Sequence, residues 1–217
     1  YQKGFFSVQD EASILIADAV CAQPGETILD VCAAPGGKTF AIAEQMEDRG
    51  EVLAMDLYEH KLALMEKHAQ AAGISIMHTL CHDSRECVDD YVCRADRVLA
   101  DVPCSGLGVL RRKPEIKYKE NNGLDELVKI QKQILEAAAA YVKPDGMLVY
   151  STCTISPEEN GKQREWLLAN FPFEPVDLTE SLGEVLREES LKDGYVQLLP
   201  GMYPCDGFFI SVYRKKA

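Results

Sequence analysis

The sequence predicts a doubly wound, Rossmann-like α/β domain, a mostly parallel sheet carrying an antiparallel edge strand. Two observations predict it. Short apolar runs alternate with amphipathic stretches along most of the chain, the signature of βαβ units. Several of those runs end in aspartate, at the carboxyl ends where ligands collect in open α/β sheets. With 217 residues and 47% apolar content, the chain can build one hydrophobic core, and no internal repeat divides it.

Taken in order, residues 8–21 set Ile14, Leu15, Ile16 and Ala17 among polar neighbours and read as a helix. Thr27-Ile28-Leu29-Asp30-Val31-Cys32 reads as a buried strand, and Gly36-Gly37 opens a helix reaching about Met46. Residues 51–56 form the second strand. Leu62, Met65, Ala69 and Ala72 then recur at helical spacing, so residues 58–72 form a helix with one apolar face. Residues 74–80 and 95–102 are the third and fourth strands. An irregular segment, residues 103–123, interrupts the rhythm, and loops this long in compact domains are usually functional or disordered. Helix returns over residues 124–142 and is broken by Lys143-Pro144-Asp145-Gly146. Residues 147–152 are the fifth strand. Pro157 suits the first turn of a helix running to about Asn170. Residues 173–178, 195–199 and 208–213 read as shorter strands that make the antiparallel edge.

Bulk properties narrow the function. No apolar run approaches the roughly 18 residues of a membrane span. The first residues show no signal-peptide pattern and no initiator Met, so the chain reads as a domain of something longer. Its eight cysteines contain no CxxC pair, which argues against zinc, and a chain this rich in core residues does not need disulfides. A reducing, cytoplasmic setting is expected, and a monomer. The net charge of −12 opposes a surface that grips nucleic acid all over. The positive charge is local, however: Arg111, Arg112, Lys113, Lys117 and Lys119 fall within nine residues, opposed only by Glu115. On charge alone such a run is as readily a solvated loop as an RNA contact.

The first strand end, Asp30 to Thr39, separates three cofactors. A Walker loop needs a glycine separated by four residues from the Gly-Lys-Thr triplet, and Cys32 stands there. A dinucleotide loop needs three spaced glycines, and here two are adjacent. S-adenosylmethionine needs a small loop for its methionine part and carboxylates for its hydroxyls and cationic groups. Asp56 ends the second strand and can accept both ribose hydroxyls; Asp83 follows the third and can meet the adenine amine; Asp101 ends the fourth beside the reacting centre. One such aspartate is more often a cap or turn residue. Asp30, Asp56, Asp83 and Asp101 in succession point to a cofactor.

Two thiols follow neighbouring strand ends, in Asp101-Val102-Pro103-Cys104-Ser105-Gly106 and Ser151-Thr152-Cys153-Thr154. Carbon 5 of cytosine is too weak a nucleophile to attack a sulfonium methyl group unaided. Addition of a thiolate at carbon 6 makes an enamine and loads electron density onto carbon 5. A carboxyl group near ring nitrogen 3 would stabilise the developing charge, and Asp101 is the candidate. The base must leave its stack to enter such a pocket. Cys104, Cys153 and Asp101 are therefore the expected catalytic residues, and the residues alone leave open which thiol attacks. Cys21, Cys81, Cys87, Cys93 and Cys205 read as packing residues, and the four histidines carry no assigned role.

With those residues on the page, the chain resembles the RNA cytosine-C5 methyltransferases of the Sun and nucleolar-protein family. The resemblance runs from Gly4 and residues 8–13 through residues 30–39, 101–115, 150–154 and 157–160 to Asp206-Gly207-Phe208-Phe209. It implies a class I methyltransferase fold using S-adenosylmethionine, with Cys32, Ala33, Ala34, Pro35, Gly36, Gly37 and Lys38 on the methionine part, Asp56 on the ribose, Asp83 on the adenine side and Asp101 at the active centre. It also implies Cys153 as the nucleophile and Cys104 as the thiol that helps release the product. The implied substrate is RNA, small-subunit ribosomal RNA above all, guided inward by Arg111, Arg112, Lys113 and Lys117, with no metal. Residues 1–217 are then a catalytic domain, a C-terminal fragment lacking an N-terminal RNA-binding domain. Transfer RNA as substrate, a scaffold without turnover, and an oxidoreductase on the same fold remain the alternatives.

Overall fold

The computed structural model describes residues 9–118 and 123–217. Its strands are β1 (Thr27–Asp30), β2 (Glu51–Asp56), β3 (Met77–Cys81), β4 (Ala95–Asp101), β5 (Val142–Thr152), β6 (Phe173–Pro175), β7 (Tyr195–Leu198) and β8 (Phe208–Lys215). The helices are α1 (Glu11–Val20), α2 (Gly37–Gln45), α3 (Glu59–Ala72), α4 (Leu124–Tyr141), α5 (Gly161–Asn170) and the single turn α6 (Thr179–Leu182). All strands join one sheet in the order β3-β2-β1-β4-β5-β8-β6, with β7 also paired to β8.

The first five strands are parallel, and neighbouring residues on each strand face opposite layers. Ile28, Val52, Leu99 and Val149 join the layer of α1 and α2, while Leu29, Leu53, Val98 and Leu148 join that of α4. Both faces are covered, so the strands read as continuous apolar runs rather than alternating ones. From β1 the chain steps outward to β2 and β3, then returns to β4 and β5 on the other side. The switch point therefore lies between β1 and β4. Asp30 sits opposite Ala54 and Asp101 opposite Ser151, which brings the predicted residues to one edge of the sheet.

Five expectations need correction. The fifth strand begins at Val142, not Met147, because Val142 pairs with Ala95 across a register shift and residues 143–146 lie inside the strand. The reversed strand β8 lies inside the sheet, antiparallel to β5 on one side and to β6 and β7 on the other, which form the edge. The helix expected from Pro157 begins at Gly161, because residues 157–160 make a turn that buries Glu159 and Asn160. The third strand begins at Met77, since the Asp48 carboxylate takes the backbone amides of Ser75 and Ile76. Only Phe173–Pro175 of residues 173–178 is strand. Lys119 and residues 1–8, including Gly4 and Val8 of the resemblance, lie outside the described residues. No helix among the described residues is long and apolar enough to cross a membrane.

Candidate active site

The turn after β1 is built around a buried carboxylate. Asp30 accepts a hydrogen bond from Thr39 Oγ1 of α2 at 2.8 Å and another from the Cys32 amide at 3.3 Å. Burial, partly offset by the Thr39 hydroxyl, raises its pKa from 3.8 to about 6. Gly36 has φ +105, and a Cβ there would meet the Phe40 ring at 2.7 Å. At Gly37 the same atom would meet the Gln9 amide nitrogen at 2.8 Å. Conformation explains the first glycine, while at the second a side chain would only have to push the Gln9 side chain aside.

A cavity of about 460 Å³ lies beyond the carboxyl ends of β1, β2 and β4, within the range of roughly 300–1,000 Å³ usual for small-molecule sites. Cys32 and Ala34 line it, with Asp56, Asp83 and Asp101. Asp56 takes the amides of Ala34 (3.3 Å) and Tyr58 (3.0 Å), which fixes its carboxylate at the cavity wall. Asp83 lines the cavity as expected, but the Arg85 guanidinium grips both its oxygens, at 2.5–3.0 Å, and holds its pKa below the usual value. Leu57, Tyr58, Ile130 and Ile134 supply the apolar wall, with Ser84 and Arg85 beside them. These were not read from the sequence. Leu57 and Tyr58 carried a signal, large apolar residues directly after a strand-end aspartate. Apolar walls with strand-end carboxylates fit the adenosyl part of S-adenosylmethionine. Burial drives the Cys32 thiol well above its ordinary pKa, so it stays neutral.

A second cavity, of about 210 Å³, shares Cys32, Ala34 and Asp101 with the first. Gln9, Asp10, Asp30, Lys38 and Arg112 are among its lining residues. Ala33, Pro35, Gly37 and Lys38, all expected on the cofactor, line this cavity and not the larger one. The Lys38 ammonium sits 2.6 Å from Asp101, whose other oxygen accepts from Ser151 Oγ at 2.8 Å. Burial works against the charge on Lys38, yet Asp101 prevails and raises its pKa.

Beside this ion pair the two predicted thiols meet: Cys104 Sγ lies 3.2 Å from Cys153 Sγ. Their pKa values move in opposite directions. The hydrogen bond from Cys104 lowers that of Cys153, helped by the Lys38 charge against burial and Asp101. The same bond, with burial, holds Cys104 far up as a thiol. Thiolate and thiol roles are thereby separated by environment.

Of Arg111, Arg112, Lys113 and Lys117, expected to guide RNA, only Arg112 lines either cavity. It contacts the buried Asp206 and lies 3.5 Å from Asp10, while Arg111 stands 3.5 Å from Asp206. Lys113 and Lys117 are exposed.

A mostly parallel sheet with one reversed strand, a glycine turn after β1 and acids at the following strand ends define a Rossmann-like methyltransferase. The model of the family described as 16S rRNA methyltransferase RsmB/F matches residues 17–214, and the chain belongs to that family. Among its relatives is the probable ribosomal RNA small subunit methyltransferase B of Bacillus subtilis (strain 168), 43% identical over 220 residues, covering 100% of this chain and 49% of that protein. The ribosomal RNA small subunit methyltransferase B of Proteus mirabilis is 35% identical over 100% of this chain and 47% of its own length. The crystal structure of NSun6 from Pyrococcus horikoshii with SFG, a S-adenosylmethionine analogue, superposes with a TM-score of 0.88 at 28% identity, over 100% of this chain and 54% of that one. The chain thus spans about half the length of these curated relatives.

Proposed function

We propose that this chain is the catalytic unit of an S-adenosylmethionine-dependent methyltransferase that modifies carbon 5 of a cytosine in small-subunit ribosomal RNA, in the cytoplasm. The observation that carries the reading is the thiol pair at 3.2 Å, set at neighbouring strand ends beside the Lys38–Asp101 ion pair. Neither an exocyclic-amine methyltransferase nor a scaffold has use for two such thiols.

In this reading the Cys153 thiolate adds to carbon 6 of the cytosine, and the electron pair moves onto carbon 5. S-adenosylmethionine, when bound, supplies an electrophilic methyl group to that carbon. The Asp101 carboxyl group faces ring nitrogen 3, and Lys38, held against it, offsets the charge that develops on the ring. Loss of the carbon-5 proton to a base then lets the Cys153 sulfur depart with the electrons of the carbon–sulfur bond. Cys104, kept as a thiol, donates to that departing sulfur, which suits it to product release. Cys32, Ala33, Ala34, Pro35, Gly36 and Gly37 shape the methionine end of the cofactor site, Asp56 holds the ribose, and Asp83, already paired to Arg85, borders the adenine. Lys113 and Lys117 meet the RNA backbone, and Arg112 lies where the target nucleotide enters. The test is a covalent complex with RNA bearing 5-fluorocytosine, formed only when Cys153 is present.

A further inference from the structure

Three hydrogen bonds that play no part in the chemistry above converge on one buried carboxylate. Glu159 has no exposed surface. Its Oε1 accepts from the Ser105 amide at 2.8 Å and from Gln131 Nε2 at 3.0 Å, and its Oε2 accepts from Ser105 Oγ at 2.5 Å. Ser105 directly follows Cys104 in the chain. Its hydroxyl also pairs at 2.7 Å with that of Thr154, which directly follows Cys153. The remaining contacts fix Glu159 from behind: Tyr150 donates to its carbonyl at 2.6 Å, and Gln131 is held through its own carbonyl by Gln163 at 3.1 Å. We infer that Glu159 is a positioning residue, which sets the separation of the two thiols by clamping the loop after β4 to the loop after β5.

The direction of each bond follows from the donor inventory. The Ser105 hydroxyl has one proton and gives it to Glu159, so Thr154 must give its own to Ser105. The Ser156 amide, 3.3 Å from Thr154 Oγ1, completes the run. Every group facing the carboxylate is a donor, so only an ionised carboxylate satisfies them all. A glutamine of the same shape would turn an N–H toward one of these donors and leave it unpaired in the interior, at about 1–3 kcal/mol. The clamp would then open on the side of Ser105, and Cys104 would lose its alignment with Cys153. The charged and titratable groups facing Cys153 are Cys104 on the loop after β4, Asp101 at the end of β4 and Lys38 on α2. Of these, Cys104 is the one whose loop Glu159 holds.

The clamp matters to function through the reading of the thiols as a reaction centre, but it can be tested without RNA or methyl transfer. The measurement is the pH dependence of Cys153 alkylation by iodoacetamide, resolved by peptide mass spectrometry, in the wild type, Glu159→Gln and Ser105→Ala. Melting curves and dialysis against S-adenosylmethionine run alongside. In Glu159→Gln the midpoint for Cys153 moves up, and alkylation near neutral pH slows by about tenfold, one pKa unit's worth. Cofactor affinity changes by less than about twofold, because Glu159, Ser105 and Thr154 line neither cavity. Ser105→Ala moves the midpoint the same way, and decides the matter alone if Glu159→Gln does not melt cooperatively. A lower melting temperature with an unmoved Cys153 midpoint would overturn the inference, since that is what a packing role alone produces. Absence of a fluorocytosine complex would count against the catalytic reading and leave this result standing.

Discussion

Asp30 carries the clearest residue-scale consequence, because a carboxyl raised to about 6 makes folding depend on pH. Its proton is held more tightly in the folded chain than in the unfolded one. The stabilising term is thus fully present below pH 4 and lost as pH rises through 6, a difference of about 3 kcal/mol. Asp30→Asn keeps an acceptor for Thr39 and cannot ionise. Between pH 4 and 7.5 its melting temperature should therefore gain on the wild type, by about 6–12 °C. Parallel melting curves across that range would mean that Asp30 is not the buried acid described. Residue identities at the site were largely legible in the sequence. Cys104, Cys153 and Asp101 stand together, and Asp56, Asp83 and Asp101 line the larger cavity, with Asp30 in the smaller one. Lys38 was placed at the cofactor by the resemblance alone, and nothing local in the sequence shows its pairing with Asp101. Glu159 was legible only as part of a resemblance, since its partners lie 28 and 54 residues away.

At the scale of elements, three connections lock together behind the thiols. The Gly108 amide donates to the Cys153 carbonyl at 3.0 Å, and the Gly207 amide donates to the Gly108 carbonyl at 2.9 Å. The loops that follow β4 and β5 are thereby tied to the one that precedes β8. A methyl group on Gly108 would collide with the Gly207 carbonyl oxygen, a backbone atom that cannot step aside. Gly108→Ala should destabilise the fold by about 1–3 kcal/mol, read as a lower urea midpoint at unchanged slope. It should also make Cys153 more open to alkylation. An unaltered midpoint would mean that the loops are not interlocked here. Strands and long helices were legible because burial on both faces writes apolar runs, and one-sided burial writes a 3.6-residue period. The turn at residues 157–160 was not, since a proline followed by two glutamates resembles a helix start. Only burial of Glu159 and Asn160 under β5 and the Pro-Cys loop decides otherwise. The place of β8 within the sheet was equally hidden, because strand order is a matter of long-range pairing.

Across the whole molecule, a net charge of −12 means that, in the proposed function, any attraction for RNA is confined to a small region. Arg111 and Arg112 already answer Asp206, so Lys113 and Lys117 are the freer cations of the described loop. Replacing both by alanine should reduce the slope of log affinity against log salt by about 1.4–1.8, the effect of two phosphate contacts. An unchanged slope would move the RNA path elsewhere. The central claim concerns the thiol pair, and one measurement meets it directly. RNA with 5-fluorocytosine is mixed with S-adenosylmethionine and the wild type, Cys153→Ala or Cys104→Ala, and denaturation-resistant complexes are weighed. Fluorine cannot leave carbon 5 as a proton does, so a thiol that attacks carbon 6 stays bound to the methylated base. The account predicts a complex with the wild type and with Cys104→Ala, and none with Cys153→Ala. A complex that survives Cys153→Ala and vanishes with Cys104→Ala would reverse the two thiols, and none with any variant, where RNA and cofactor bind, would contradict covalent catalysis altogether.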